Sequence, residues 1–365
     1  MSIVAHTYVM QSVIVIGAGQ SGIAAAAALR RADLRPLVLE ASEHPGGSWP
    51  HYYDSLVLFT PARFNGLPGF PFPGDPHHFP TRDETAHYLR ACAASLDCEI
   101  HTGTRVTAVT RDEDGMYMVR AQTAAGRTAE FVAPAVVSAT GAFSNPRVPR
   151  LPALDHYTGH LMHSADYHGP ARFAGQRVVV VGAGNSAVQI ATELGPYARV
   201  TLASRSRIRF ATRSAVSGAS PVWQGLAIAA RLPVGPLFAP GSDVTAVFAE
   251  PAALAMSGAD QRAMFRSTYG AEMRWPDGST EDVDTVILAT GYRPALAHLR
   301  PMGVLRADGT PRQRRGLSRD HPGLAFVGLR HQRTLFSDTL HGVGGDAEYL
   351  ALRLAAVHGP VGSTV

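Results

Sequence analysis

The chain carries one hydrophobic pattern twice. Val13-Ile14-Val15-Ile16 and Val178-Val179-Val180-Val181 are unbroken apolar runs, each followed by a turn of small residues and then an Ala-containing amphipathic stretch. A short continuous apolar run bounded by turn residues reads as a strand covered on both faces, and a helix following at once reads as a strand–turn–helix unit of a parallel sheet. The first unit predicts a strand over Ser12–Ile16, a helix over Ser21–Ala32 and a second strand over Leu34–Glu40. The second predicts a helix from about Asn185 to Leu194 and a strand at Arg199–Ala203.

Between and after these units the pattern changes. Tyr52 to His78 is rich in Pro, Gly and aromatics without a clear period, and reads as a long ordered loop, a kind that is often functional. A helix is expected from Thr81-Arg82-Asp83-Glu84 to about Leu96. Paired strands are expected at Glu99–Val109 and Met116–Ala121, turning at Asp112 to Gly115, with a further strand at Phe131–Ser138. Pro146, Pro149 and Pro152 mark a linker and a domain crossing. Arg209 to about Ala263 is the least patterned part, with helical pieces near Trp223–Ala230 and Pro251–Met256. Strands follow at Thr268–Trp275, Asp284–Leu288 and Leu324–Gly328, and a last amphipathic helix at Asp346–His358, opened by Gly342-Val343-Gly344-Gly345.

The turns carry the chemistry. Gly17-Ala18-Gly19-Gln20-Ser21-Gly22 and Gly182-Ala183-Gly184-Asn185-Ser186-Ala187 both have dinucleotide-binding spacing. The first Gly makes a tight turn, the second admits a pyrophosphate, the third small residue packs helix on strand, and the phosphates sit at the helix N-terminus. The residue that reads the ribose lies at the end of the next strand. After the first turn that residue is Glu40, a carboxylate suited to a ribose diol and hence to FAD or NAD. After the second it is the cationic Ser204-Arg205-Ser206-Arg207, suited to a 2′-phosphate. The first site is therefore read as FAD and the second as NADPH. The Gly pair of Pro45-Gly46-Gly47-Ser48-Trp49 permits close approach to a ligand beside the flat Trp49 ring.

Composition narrows this picture. The 365 residues suffice for two domains, and 45% hydrophobic with 17% charged residues fits a soluble globular protein. There is no lysine, which excludes lysine Schiff-base chemistry and a lysine-bearing phosphate loop. The net charge of +4 is small and the arginines are scattered, so charge implies neither nucleic acid nor membrane as a partner. Cys92 and Cys98 form no redox or zinc spacing and read as two packed thiols in a cytoplasmic protein. Met1 to Gln11 lacks the charge and apolar core of a signal peptide, and Ile23–Leu29 is too short to span a bilayer. The histidines show no metal spacing, so no metal is expected.

Between the linker and the second turn lies Tyr157-x-Gly159-x-x-x-His163-x-x-x-Tyr167. With the two glycine turns, the Gly-Gly-x-Trp segment and the two Ala-Thr-Gly stretches at 139–141 and 289–291, this resembles the flavin-containing monooxygenase superfamily, with Tyr157 in place of the usual Phe. Asp54 to Leu56, Leu67-Pro68-Gly69 and Thr339 to Gly344 look like its short bacterial branch, which includes monooxygenases of arsenic-resistance clusters. The resemblance implies an α/β fold of two Rossmann-like, three-layer dinucleotide-binding domains. An NADPH domain at 154–283 is inserted into an FAD domain formed by 1–153 and 284–365.

It also implies a division of labour. NADPH reduces the flavin, O2 adds to form a C4a-(hydro)peroxyflavin, and this oxygenates a small N-, S- or As-centred substrate. The implied FAD residues are Gly17, Gly19, Gln20, Ser21, Gly22, Glu40, Gly47, Ser48, Trp49, Thr140 and Gly141, with the Val106 backbone at the adenine. Gly345 and Asp346 are expected at the start of a helix aimed at the flavin. The implied NADPH residues are Gly182, Gly184, Asn185, Ser186, Ala187, Ser204, Arg205 and Arg207, with Arg293 at the nicotinamide half or the domain junction. His163 is assigned to hinge work rather than catalysis. Many relatives carry an Asn near the flavin C4a; here that place falls at Phe59 or Thr60, leaving Thr60 and Asn65 as catalytic candidates. Two alternatives stay open: a flavin reductase passing electrons to a protein or small acceptor, and a Baeyer–Villiger ketone monooxygenase. Dimers are common in the family.

Overall fold

The computed structural model describes residues 12–210, 217–237 and 251–358; the expectation for the first eleven residues lies outside the described residues. In chain order the first unit contains β1 (Val13–Ile16), α1 (Gln20–Arg31), β2 (Pro36–Leu39), α2 (Arg82–Ala94), β3 (Glu99–His101), a meander of β4 (Thr104–Arg111), β5 (Tyr117–Thr123) and β6 (Thr128–Ala133), and β7 (Val136–Ser138). The second contains β8 (His160–His163), β9 (Arg177–Val181), α3 (Asn185–Leu194), β10 (Arg199–Ser204), α4 (Val222–Arg231), α5 (Pro251–Met256), β11 (Asp260–Ala263), β12 (Ser267–Tyr269), β13 (Glu272–Arg274), β14 (Thr280–Asp282) and β15 (Thr285–Leu288). The chain then returns to the first with β16 (Gln313–Arg314), β17 (Leu317–Ser318), β18 (Leu324–Phe326) and α6 (Leu340–His358).

The larger sheet has the order β16-β17-β18-β7-β1-β2-β3, parallel from β18 to β3, and the second has the all-parallel order β11-β10-β9-β15-β8. The period of two along a strand builds three layers in each unit. Val13 and Val15 of β1 face a core shared with α1, α2 and α6, while Ile14 and Ile16 face a core shared with the meander residues Val109, Tyr117 and Val119. In β9, Val178 and Val180 pack with α3, and Val179 and Val181 pack against Met273 and Trp275. Each buried Val or Ile contributes about 1.5–3 kcal/mol of transfer free energy, so an apolar run covered on both faces is the sequence mark of these central strands.

The two units are joined by an antiparallel ribbon. Arg147 N–H donates to Gly291 O and Arg293 N–H to Asn145 O, both at 2.9 Å, and Pro146 pairs with Tyr292. The Ala-Thr-Gly stretches open its two strands, and each Thr hydroxyl donates across it: Thr140 to Ala295 O and Thr290 to Arg147 O.

Several boundaries differ from expectation, each for a local reason. Glu99–Val109 is two strands in different sheets, broken at Gly103, whose φ of 58° no strand residue adopts. Phe131–Ser138 is likewise divided, at Pro134, which has no N–H for a ladder. Thr268–Trp275 is a hairpin turning at Gly270 (φ 61°). β15 pairs with β8 and β9, so it belongs to the second sheet; the return crossing follows Leu288 and is not at 283/284. α6 starts at Leu340, capped by the Thr339 hydroxyl accepting from Gly342 N–H, five residues before Gly345. Its glycines are packing positions rather than a turn: a Cβ at Gly342 would overlap the Phe336 carbonyl, and one at Gly344 would lie 2.8 Å from Pro68.

Candidate functional site

The site begins at two helix starts. α2 is closed by a capping box: Thr81 Oγ1 accepts from Glu84 N–H, the Glu84 carboxylate accepts from Thr81 N–H, and Asp83 and Glu84 occupy the first turn. α1 and α3 open instead on Gly19 and Gly184, with neither a side-chain cap nor an acid in the first turn. Their leading N–H groups and positive dipole ends are left for an anion from outside the chain. Gly17, Gly19, Gln20, Ser21, Gly184, Asn185 and Ser186 line a single cleft between the units, about 2050 Å³ in volume. An ordinary small-molecule pocket is about 300–1,000 Å³, so this cleft has room for more than one such ligand.

The backbone of the first turn is set by close approaches. Gly17 has φ 102°, and a Cβ there would lie 2.9 Å from Ala139 O. A Cβ at Gly22 would overlap the Gly17 carbonyl, so Gly22 packs the helix and does not line the cleft. Gly47 (φ 62°) brings the second glycine segment against the first; its Cβ would lie 2.8 Å from Gly19 Cα. Glu40 is buried, accepting from Ala18 N–H at 2.5 Å and Ser42 N–H at 2.8 Å, so the carboxylate that lines the cleft also ties down the turn. Trp49 Nε1–H donates to Gln20 Oε1 at 3.0 Å, and Gln20 Nε2–H donates to Asp338 O at 3.0 Å. Val106 lines the cleft at an irregularity in the β4–β5 ladder, and Ser48, Thr140 and Gly141 line it too.

In the second turn Gly182 and Ala187 pack rather than line: Gly182 has φ 156°, and its Cβ would meet Ala187 at 3.0 Å. Ser204 ends β10 and Arg205 and Arg207 follow it, beside this turn, where Gly182 N–H donates to Ala203 O; both arginines are exposed, and all three lie outside the cleft lining. Arg293 is exposed on the ribbon, which supports its junction reading.

The fingerprint around His163 is a set of fastenings. Tyr157 OH donates to Val283 O at 3.0 Å and Tyr167 OH to Glu193 at 2.8 Å. His163 Nδ1 accepts from Ala165 N–H, so Nε2 carries the proton and donates to Gly291 O at 3.1 Å. Burial holds this imidazole below the usual histidine range. With both nitrogens used, it fixes the ribbon to β8.

Thr60 and Asn65 come together in the cleft wall. Thr60 Oγ1–H donates to Asn65 Oδ1 at 2.7 Å, and both Asn65 amide hydrogens go to backbone carbonyls, Thr60 O at 2.8 Å and Pro61 O at 3.1 Å. Asn65 is 1% exposed. The pair braces its loop and has spent its three donor hydrogens within it. Gly345 and Asp346 are not at a helix start: Asp346 is buried, receives a bond from Arg333 Nε at 2.7 Å, and is held above the usual carboxylate range by burial. The helix start near the cleft is Thr339–Leu340.

The loop after Trp49, read as ordered and of a functional kind, lines the cleft through Tyr52, Tyr53, Leu56 and Phe59; of the described residues in the poorly patterned stretch after Arg209, Pro236 does so. Sequence reading missed Tyr53, Gln189 and Asp338, which lie in the same wall without a period or motif to mark them. Cys92 and Cys98 are free thiols outside the lining, both raised by burial, Cys98 to about 11. Among the described residues no helix is long and apolar enough to cross a membrane.

A family model described as pyridine nucleotide-disulphide oxidoreductase matches residues 14–224. An uncharacterized oxidoreductase of Bacillus velezensis, CzcO, is 30% identical over 360 residues, 94% of this chain and 99% of that protein. An indole-3-pyruvate monooxygenase of Oryza sativa is 30% identical over 321 residues, 77% of this chain and 76% of that protein. The solved flavin-containing monooxygenase from Stenotrophomonas maltophilia superposes with a TM-score of 0.81 at 30% identity, covering 95% of this chain and 98% of that one.

Proposed function

The chain belongs to the pyridine nucleotide-disulphide oxidoreductase family and, within it, to the flavin-containing monooxygenase superfamily, and from that premise we propose that it oxygenates a small soft nucleophile, centred on N, S or As, with O2. It is an enzyme, a flavin-dependent monooxygenase with FAD and NADPH as cofactors. The single observation that carries the reading is the pair of glycine-opened, uncapped helices α1 and α3 facing one cleft.

Bound FAD supplies the redox and oxygen chemistry, and the chain supplies position and exclusion of water. Gly19, Gln20 and Ser21 receive the FAD pyrophosphate on backbone N–H groups, Glu40 accepts from the ribose, and the Val106 backbone meets the adenine. Trp49, fixed by Gln20, would flank the isoalloxazine together with Ser48. Gly184, Asn185 and Ser186 receive the NADPH pyrophosphate, and Ser204, Arg205 and Arg207 take the 2′-phosphate. The NADPH unit runs from about 154 through β15. Two free, buried-shifted thiols accord with a cytoplasmic setting.

One observation favours a second reading, a flavin reductase that does not oxygenate: Thr60 and Asn65 have committed their donors to each other and to backbone. A single experiment separates the two. The purified flavoprotein is reduced by NADPH without oxygen and then mixed rapidly with O2. Oxygenation predicts a transient flavin spectrum distinct from oxidised FAD and transfer of oxygen to an amine, sulfide or trivalent arsenical. Direct return to oxidised FAD with stoichiometric H2O2 would overturn it in favour of the reductase.

A further inference from the structure

The loop that follows Trp49 does not stay in its own unit. Tyr53 is 5% exposed, and its ring packs in the core of the second unit with Tyr167, Val188 and Leu202. Its hydroxyl donates to Gln189 Oε1 and also meets the Ser186 side chain. Both partners lie in α3, in the first turns after the open Gly184 end. The residues either side of Tyr53 are held independently: Asp54 N–H donates to His168 O at 3.0 Å, and Arg82 Nη1 donates to Tyr52 O at 2.7 Å and pairs with Asp54.

A continuous series of contacts therefore joins the two glycine turns. It runs from Gln20, one residue past Gly19, to Trp49 by a hydrogen bond, from Trp49 to Tyr52 by an edge-on ring contact at 5.3 Å, and from the adjoining Tyr53 to Gln189 and Ser186. The ribbon at 141–147 and 289–295 fixes where the units join, and the contacts of Tyr53 add a second fastening, made to the NADPH-turn helix itself. The neighbouring Tyr52 ring meets Phe143 of that ribbon edge-on at 5.2 Å, so the bond from Tyr53 to α3 extends the junction from the ribbon to the helix that opens on Gly184. Hydride transfer is sensitive to this, since reacting atoms must approach to about 3–3.5 Å and a displacement of about 1 Å can cost roughly a hundredfold.

We propose that Tyr53 is a positioning residue for the reductive step: its hydroxyl, shared by Gln189 and Ser186, registers the NADPH turn against the FAD turn. The inference rests on the cofactor assignment above. The Tyr53 hydroxyl is engaged by α3, and it acts through that helix. The phenol suits the task because burial, with Glu193 and Tyr292 adding to it, keeps it protonated and hence a donor at every physiological pH.

The test uses the FAD-loaded protein and two substitutions. Tyr53→Phe keeps the ring in the second core and removes the donor; Gln189→Met removes the acceptor. The expected result is a roughly tenfold slower reduction of the flavin at saturating NADPH, with reduction by dithionite unchanged. NADP+ affinity, measured by calorimetry, is expected to stay within about twofold of wild type, because the pyrophosphate contacts are intact. The perturbation of the oxidised flavin spectrum by NADP+, which reports the nicotinamide against the ring, is expected to shrink in both variants. The double substitution is expected to add little to either single one. Wild-type reduction rates and an undiminished spectral change in Tyr53→Phe would overturn the inference, as would full additivity. A wild-type protein whose flavin NADPH does not reduce would instead overturn the cofactor assignment on which the inference stands.

Discussion

Arg205 and Glu40 occupy equivalent places after their respective turns, yet one is exposed and the other buried in a pair of backbone hydrogen bonds. On the proposed assignment, discrimination between NADPH and NADH would rest on exposed charge. Arg205→Ala is expected to raise the KM for NADPH by about tenfold, because an exposed charged hydrogen bond contributes near the lower end of about 1.5–3 kcal/mol, and to leave that for NADH nearly unchanged. Steady-state kinetics with both nucleotides decides it; an equal rise for the two would remove Arg205 from the 2′-phosphate site. At this scale the sequence named residue types well and side-chain directions poorly. Thr60 and Asn65 were legible as separate candidates for the place of the family's Asn, but that they spend their hydrogens on each other and on backbone depends on a loop geometry that no period encodes.

The same glycine motif serves two purposes along its own length, and the elements separate them. Gly22 is pressed against the Gly17 carbonyl, whereas a Cβ at Gly184 would meet nothing within 4 Å. Gly22→Ala is expected to lower stability by about 2–4 kcal/mol through overpacking and to reduce flavin content in parallel. Gly184→Ala is expected to leave the unfolding midpoint close to wild type and to weaken NADP+ binding, since the added methyl projects into open cleft space that the proposed function gives to the pyrophosphate. Denaturant midpoints with calorimetry check both; a large stability loss in Gly184→Ala would show that the cleft there is not open. The elements misjudged from sequence were those whose ends are set by a neighbour. Glu99–Val109 and Phe131–Ser138 read as single strands because both halves are apolar or alternating, and only pairing shows that each half belongs to a different sheet. The glycines at 342–345 looked like a turn because glycine breaks isolated helices, but here they let α6 lie against Pro68 and Phe336.

At the scale of the whole molecule, burial suppresses the charge of a histidine in each unit, His298 in the first and His163 in the second. Burial lowers His298 to about 4, from 6.5, and it shares a hydrogen bond with Ser138 at 3.2 Å. Above pH 6.5 the residue is neutral in folded and unfolded chains and has no effect on their balance. As pH falls from there toward 4 the unfolded chain takes up the proton and the folded chain does not, so stability declines across that window, by about 3 kcal/mol in full. His163, lowered in the same direction, adds to the decline. Unfolding midpoints measured from pH 7.5 to 4.5 are expected to fall, and to fall less steeply in His298→Gln. A His298→Gln profile parallel to wild type would assign the acid sensitivity to other groups.

By itself the sequence determined what is local and periodic: two buried parallel strands, the glycine turns behind them, the acid and the arginines at the ends of the next strands, and from these the fold class and both nucleotides. Those features are legible because a helix or a covered strand imposes its period on every residue it contains, and a tight turn imposes glycine. What only the tertiary structure decided is where separate segments meet: that β15 belongs to the second sheet, that the crossings form one ribbon, that Asp346 is buried on Arg333, and that Tyr53 of one unit packs in the core of the other. Contacts of that kind are fixed by the shape and free volume of two surfaces brought together by folding, and the spacing of residues along one chain carries no record of them.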